Sequence, residues 1–163
     1  MKKILLISDT HGYFDKKIIK YANKVDEIWH AGDIGDISVT DKLKQIKPLK
    51  GVYGNIDDQK IRTEFPLHNR FICEKVNVWI THIGGYPKRY NPKILEELKS
   101  NSPDLFICGH SHILKVINDK ELDLLHMNPG AIGKYGLHRV RTMIQFEING
   151  KKIENLSVIE FER

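Results

Sequence analysis

Long apolar runs are missing from this sequence. Nowhere in its 163 residues does one approach the roughly 20 residues that a membrane-spanning helix needs. The first run, Ile4-Leu5-Leu6-Ile7, meets Ser8 and Asp9 after four residues, too short for the core of a signal peptide. We therefore expect a cytoplasmic protein with no membrane partner. Cysteine is nearly absent as well: Cys73 and Cys108 are too few for a disulfide framework, and both sit in strand-like runs that suit small core residues. Internal repeats and low-complexity segments are lacking, which excludes solenoids and disordered tracts. The net charge is +5, yet the lysines are spread along the chain with no recognition motif and no interleaved aromatics, so nucleic acid is not the expected partner. The length suits one buried core, and we expect a single domain over 1–163.

What is present is one event repeated five times, an apolar strand-like run ending in a side chain able to bind a metal. Ile4–Ile7 leads into Asp9-Thr10-His11, and Glu27–His30 into Ala31-Gly32-Asp33. Gly51-Val52-Tyr53 leads into Gly54-Asn55-Ile56-Asp57, Val78–Thr81 into His82, and Leu105–Cys108 into Gly109-His110-Ser111-His112. Ligands of open α/β sheets bind at the carboxyl ends of strands, so residues a hundred positions apart can meet on one edge. Any one of these side chains alone reads as turn chemistry or a helix cap. The full set, Asp9, His11, Asp33, Asn55, His82, His110 and His112, is not explained that way.

Seven ligands sharing one carboxylate fill two adjacent sites, and Asp33 is the natural bridge. Imidazole with carboxylate suits Mn, Fe, Zn, Co or Ni rather than calcium. Two ions about 3.5–4 Å apart can clamp a phosphate and acidify a shared water, which points to phosphoester hydrolysis. Spacing leaves the histidine pair open: His110 and His112 point the same way if the backbone is extended and can diverge if it is a loop.

The ordered set Asp-x-His, Gly-Asp, Gly-Asn-x-Asp, Thr-His and Gly-His-x-His resembles the calcineurin-like metallophosphoesterase superfamily, and within it the small single-domain phosphodiesterases of the YfcE type. The resemblance spans Asp9 to His112. It implies a four-layer αββα sandwich, an α/β fold of two mixed sheets between outer helices. It also implies two divalent ions, Mn²⁺ first, with Ni²⁺, Co²⁺, Zn²⁺, Fe²⁺ or Mg²⁺ as alternatives. Asp9, His11, Asp33 and His112 would hold one ion; Asp33, Asn55, His82 and His110 would hold the other. Asp33, Asn55 and Asp57 are the candidate catalytic residues, with Asp57 orienting a ligand or, as the plainer alternative, capping a helix. The chain departs from the family at Ile56, where many members carry His, and at Ile83-Gly84, where close relatives continue with Gly-His. Both departures remove a proton donor near the leaving group, so esters with good leaving groups are the expected substrates. Asn128-Pro129-Gly130-Ala131 resembles a family loop near the active site. The residues considered for substrate binding are Arg89, beside Lys88, and the loop residues His138 and Arg139.

The remaining pattern predicts helices over Phe14–Asn23, over Val39–Ile46 with Ser38 as cap, and from Pro92 behind the Asn91 cap. The first three strands with their crossovers form a parallel βαβαβ half. Gln59–Pro66 has no clear reading. Phe71–Cys73 and Val76–Thr81 form a hairpin turning at Glu74-Lys75. Four strands follow, Ile113–Ile117, Leu122–Met127, Thr142–Ile148 and Ile153–Phe161, with Asn149-Gly150 as a hairpin turn. Phe146, Ile148, Ile153 and Leu156 are expected to supply the second sheet. The expected protein is a dinuclear phosphodiesterase acting on a small phosphoester. A phosphomonoesterase or nuclease with the same site, or an interaction scaffold on this fold, are the alternatives, and a homo-oligomer stays open.

Overall fold

The computed structural model describes residues 1–163. In chain order the elements are β1 (Lys2–Ile7), α1 (Ile18–Ala22), β2 (Glu27–His30), α2 (Ile37–Lys44), β3 (Leu49–Gly51), α3 (Gln59–Glu64), β4 (His68–Cys73) and β5 (Val76–Thr81). They continue with β6 (Gly85–Tyr86), β7 (Arg89–Tyr90), α4 (Pro92–Ser100), β8 (Leu105–Ile107), β9 (Leu114–Asp119), β10 (Leu124–Pro129), β11 (Val140–Asn149) and β12 (Lys152–Glu162). Two five-stranded sheets have the orders β12-β11-β1-β2-β3 and β4-β5-β8-β10-β9. Each is mixed. β1, β2 and β3 run parallel with β11 antiparallel beside β1, and β5, β8 and β10 run parallel between antiparallel β4 and β9.

Alternation along the strands builds the layers. In β1, Ile4 and Leu6 face the other sheet and pack with Trp29, Val78, Ile80, Ile107 and Phe146, while Leu5 and Ile7 face out toward Ile18, Ala22, Val39 and Leu43 of α1 and α2. On the far side Trp79 and Phe106 pack under Ile94 and Leu98 of α4. The result is the four-layer αββα sandwich, with both parallel strand sets presenting their carboxyl ends at one edge.

Several elements differ from the sequence reading. The first helix is only Ile18–Ala22. Asp15 lies outside it, buried against Arg141, whose Nη2 donates to its carboxylate at 2.7 Å across 126 positions of sequence. The second helix starts two residues early because Asp36, not Ser38, is the cap and accepts from the Ser38 N–H. The unassigned connector contains α3, capped by Asp58 through the Ile61 N–H at 3.0 Å. β3 ends at Gly51, two residues before the expected end at Tyr53. The final hairpin turns at Gly150-Lys151 and does not join the second sheet. β11 pairs with β1 from Lys2 opposite Ile148 to Leu6 opposite Ile144, so Phe146 and Ile148 fill the space between sheets from the first one. Leu156 stays 38% exposed on the edge strand β12. Cys73 and Cys108 are buried, and no helix is long and apolar enough to cross a membrane.

One outer-layer group carries a stability consequence. His126 on β10 is buried beside the rings of Tyr90 and Phe106, and neither ring nitrogen has a partner. Burial, reinforced by the Lys115 ammonium, pushes its pKa down to about 4. An unfolded histidine titrates near 6.5. The unfolded chain therefore binds a proton that the folded chain refuses, and stability is lost as pH falls from about 6.5 toward 4, by roughly 2 kcal/mol at pH 5. In urea denaturation, His126→Phe should lose about 2 kcal/mol less than the parent between pH 7 and pH 5. Equal losses in the two proteins would refute a neutral buried His126.

Candidate metal centre

Five loops leave strand ends at the shared edge and are sewn together by their own backbone. The Asp9 N–H donates to the Gly32 carbonyl and His11 N–H to Asp33 O, both at 3.0 Å, and Gly109 N–H donates to His82 O at 3.0 Å. Among the bonds that join the sheets here are His110 N–H to the Asp9 carboxylate at 3.2 Å and His82 Nδ1 to Ala31 O at 2.7 Å. Asp9, His11, Asp33, His110 and His112 all adopt left-handed backbone, with φ of 54°, 44°, 53°, 70° and 60°. Each such residue costs on the order of 1–2 kcal/mol, and such strain gathers where a fold must present side chains to a ligand. Left-handed backbone is also why His110 and His112 diverge toward different neighbours.

Close approach makes two glycines obligatory. A Cβ on Gly54 would collide with the Asp33 carboxylate and backbone, and one on Gly109 with Ser8 Oγ and Asp9.

The side chains form two adjoining groups, Asp9, His11 and His112 in one and Asp33, His82 and His110 in the other, with the ligand atoms of each within 4.8 Å of one another. Asp9 Oδ1 lies 3.1 Å from His112 Nε2 and 3.7 Å from His11 Nε2. Asp33 Oδ2 lies 3.1 Å from His82 Nε2 and 3.5 Å from His11 Nε2, so this carboxylate stands between the groups, more closely than Asp9, whose Oδ1 is 3.9 Å from His82 Nε2. Asn55 Oδ1 is 3.0 Å from His110 Nδ1, which puts Asn55 at the second group.

Hydrogen bonding explains why these atoms want a cation. Ser8 Oγ–H donates to Asp9 Oδ2 at 2.6 Å, where the His110 N–H also points, leaving Oδ1 aimed at the histidines. The Ala31 carbonyl can only accept, so His82 Nδ1 carries the hydrogen and the neutral ring directs a lone pair from Nε2 at Asp33. Asp9 Oδ1, His11 Nε2 and His82 Nε2 are buried without a hydrogen-bond partner. Lone pairs facing carboxylate oxygens repel unless a positive charge lies between them. Without an ion the charge is a proton: burial pushes the His82 imidazole down, but Asp33 and Asp9 outweigh burial and hold its pKa above the ordinary value. Burial likewise pushes Asp9 up, while His11, His112, His82 and Ser8 together hold it well below the usual carboxylate range. The donor set fits divalent ions in the place of those protons.

Below the centre, Gly32 N–H donates to His30 Nδ1 at 3.1 Å, His30 Nε2–H to Thr10 Oγ1 at 3.0 Å, and Thr10 O–H to Ile34 O at 2.9 Å. Every member is satisfied with His30 neutral, and burial pushes that imidazole down to about 4.

Of the other predicted residues, Asp57 is buried and accepts from Ile34 N–H at 3.1 Å, Gly35 N–H at 2.8 Å and Gly54 N–H at 2.7 Å. Its carboxylate is thus taken up in tying the Asp33 loop to the Asn55 loop, and it is neither a chemical group at the centre nor the α3 cap, which is Asp58. The ring of His138 lies 5.2 Å from that of His112 and its Nε2–H donates to Gly133 O at 2.8 Å. Arg89 and Arg139 are not brought to the centre. Arg89 lines a separate cavity of about 300 Å³ with Lys88, Lys99 and Glu121, and Arg139 lines another with Glu160 and Glu162 of the last strand. The sequence reading missed Ser8, which bonds its neighbour Asp9, and Thr10 and His30, which bond each other across 20 positions, and it named the Asn128 loop without assigning Asn128 itself. Asn128 Nδ2 holds the histidine loop through Gly109 O at 2.9 Å and Ser111 Oγ at 3.1 Å. It also missed Arg62, on the helix it could not place, and His68.

Fold and site together define a metallophosphoesterase-like protein. The chain belongs to the calcineurin-like phosphoesterase superfamily, whose domain model matches residues 1–151. A probable metallophosphoesterase of Methanocaldococcus jannaschii is 31% identical over 134 residues, covering 77% of this chain and 66% of the relative, just under two thirds of its length. Among solved structures, Vps29 of Chaetomium thermophilum superposes with a TM-score of 0.78 at 20% identity, covering 99% of this chain and 97% of that one. A novel archaeal phosphodiesterase does so at 0.75 and 24%, covering 96% and 99%. Both likenesses speak to the fold. The family implies divalent metal ions, and the two ligand groups are where this chain offers to hold them.

Proposed function

We propose that the protein is a dinuclear metal-dependent phosphodiesterase acting on small phosphodiesters with good leaving groups. The observation that carries this reading is the Asp33 carboxylate standing between two groups of converging ligand atoms, several of them buried without partners. Asp9, His11, Asp33 and His112 hold one ion, and Asp33, Asn55, His82 and His110 hold the other. Mn²⁺ is our first choice, because carboxylate, amide and imidazole donors together suit it, with Ni²⁺, Co²⁺, Zn²⁺, Fe²⁺ or Mg²⁺ as the other candidates. When bound, two such ions supply Lewis acidity to the phosphate oxygens and acidify a shared water.

The chain's own part is preorganisation. Ala31 fixes the His82 tautomer, Ser8 and His110 N–H orient Asp9, and Asp57 holds the Asp33 and Asn55 loops at their separation. Asp33 stays anionic, since His82 and the Ile56 N–H overcome burial and depress its pKa. Ile56 is exposed where a proton donor could stand, and Gly84, at the position of the relatives' second His, offers no side chain and no room for one, so a leaving group departs without help from either position. We expect a 4-nitrophenyl phosphodiester to be cleaved at least about 10²-fold faster than an alkyl one at saturating Mn²⁺, on the scale of one general acid. Equal rates would defeat the leaving-group argument, and faster cleavage of 4-nitrophenyl phosphate itself would favour a phosphomonoesterase. An interaction scaffold, suggested by the likeness to Vps29, would be favoured by fewer than one ion per chain after incubation with Mn²⁺.

A further inference from the structure

Beside Asn55 and His82 a cleft of about 350 Å³ opens between the Asn55 loop with α3 on one side and the start of α4 on the other. That volume is near the small end of ligand pockets, the size for one ring-bearing group and not a polymer segment. Its walls are mixed. Leu67 and Ile83, 48% and 40% exposed, give apolar surface, while Arg62, His68 and Lys93 give cationic or hydrogen-bonding groups.

Arg62 is held ready. Its guanidinium lies 4.7 Å from the centre of the Tyr53 ring, Nε donates to Asp57 O at 2.7 Å and Nη2 to Asn55 O at 3.3 Å. Two of its five N–H donors are thereby used, three have no protein partner, and no carboxylate pairs with it. A guanidinium fixed to the backbone of a predicted metal ligand, with donors to spare, is the arrangement that meets a phosphate oxygen. His68 begins β4 opposite Thr81, the residue before His82, and its ring stands edge-on to Trp79 at 5.6 Å. This places a second planar group on the cleft wall one residue from the centre. An alkyl chain in this cleft would strip water from Arg62, His68 and Lys93 and give nothing back. A heteroaromatic group gives apolar faces to Leu67 and Ile83 and polar edges to the rest.

We infer that this cleft is the subsite for a nucleoside-sized aromatic arm of the substrate, with Arg62 binding at its phosphate end and His68 contacting the ring. The inference rests on the phosphodiesterase reading for its phosphate and adds the identity of the arm. Calorimetry on the Mn²⁺-loaded protein with adenosine 5′-monophosphate and ribose 5-phosphate reports on the base, since the two share the phosphate and the sugar carbons and differ at C1, adenine in one and a hydroxyl in the other. The nucleotide should bind at least about tenfold tighter. His68→Ala should reduce that preference to within threefold, and Arg62→Ala should weaken both ligands about tenfold, with Arg62→Lys recovering part and Arg139→Ala leaving both unchanged. Arg62 and His68 are exposed, so these substitutions should leave the fold intact. Equal affinities for the two ligands in the parent, a preference untouched by His68→Ala, or affinities for both ligands unchanged by Arg62→Ala, would overturn the inference. Hydrolysis of bis(4-nitrophenyl) phosphate is read separately. Turnover with equal affinities keeps the phosphodiesterase and discards the subsite, whereas the predicted nucleotide binding without turnover of any diester keeps the subsite and discards the phosphodiesterase.

Discussion

Asp33→Asn should lower kcat/KM for an aryl phosphodiester by about three orders of magnitude, equivalent to roughly 4 kcal/mol of transition-state stabilisation. The substitution keeps size and retains an oxygen for the Ile56 N–H that Asp33 Oδ1 now accepts at 3.2 Å. What it removes is the negative charge 3.1 Å from His82 Nε2 and 3.5 Å from His11 Nε2, a closer reach into both ligand clusters than Asp9 has, whose Oδ1 is 3.9 Å from His82 Nε2. The number of ions per chain, measured by plasma mass spectrometry on protein incubated with Mn²⁺, should fall from two to one or fewer. Retention of two ions with a rate within threefold of the parent would eliminate Asp33 as the bridge.

Asp57→Ala should produce the largest loss of stability of any single substitution near the centre, about 3–5 kcal/mol, because two buried N–H groups and one part-buried one lose a charged acceptor together. The cost falls on one joint: Ile34 and Gly35 follow Asp33 and Gly54 precedes Asn55, so the two loops lose their common anchor. Urea denaturation in chelator measures the change with no contribution from bound metal. A second titration with Mn²⁺ should then show that the variant gains less from the ion than the parent, since stabilisation by a ligand follows its affinity for the folded state. A loss under 1 kcal/mol in chelator would mean that water replaces the carboxylate and that the joint is not structural.

These expectations show which parts of the molecule could be read in advance. Asp9, His11, Asp33, Asn55, His82, His110 and His112 were visible as ligand types at strand ends, because a parallel strand's exit is marked locally by an apolar run meeting a polar turn. Asn91-Pro92 announced α4 and Glu74-Lys75 the hairpin, since caps and tight turns are set by neighbours in sequence. Asp57 read as a carboxylate near the centre, but the three amides that occupy it come from residues up to 23 positions away. Arg89 and Arg139 looked suited to phosphate by type, and lie elsewhere. Arg62 looked like nothing in particular until α3 formed and laid it across Tyr53.

Sequence alone determined the kinds of donor atom, the strands that carry them, and the absence of histidines at positions 56 and 84, all of which depend on local patterning and residue chemistry. Tertiary structure decided the pairing of β11 with β1, the left-handed backbone that splits His110 from His112, and the convergence of both sheets on Asp33. Those outcomes depend on which distant surfaces bury one another, and no window of neighbouring residues contains that information.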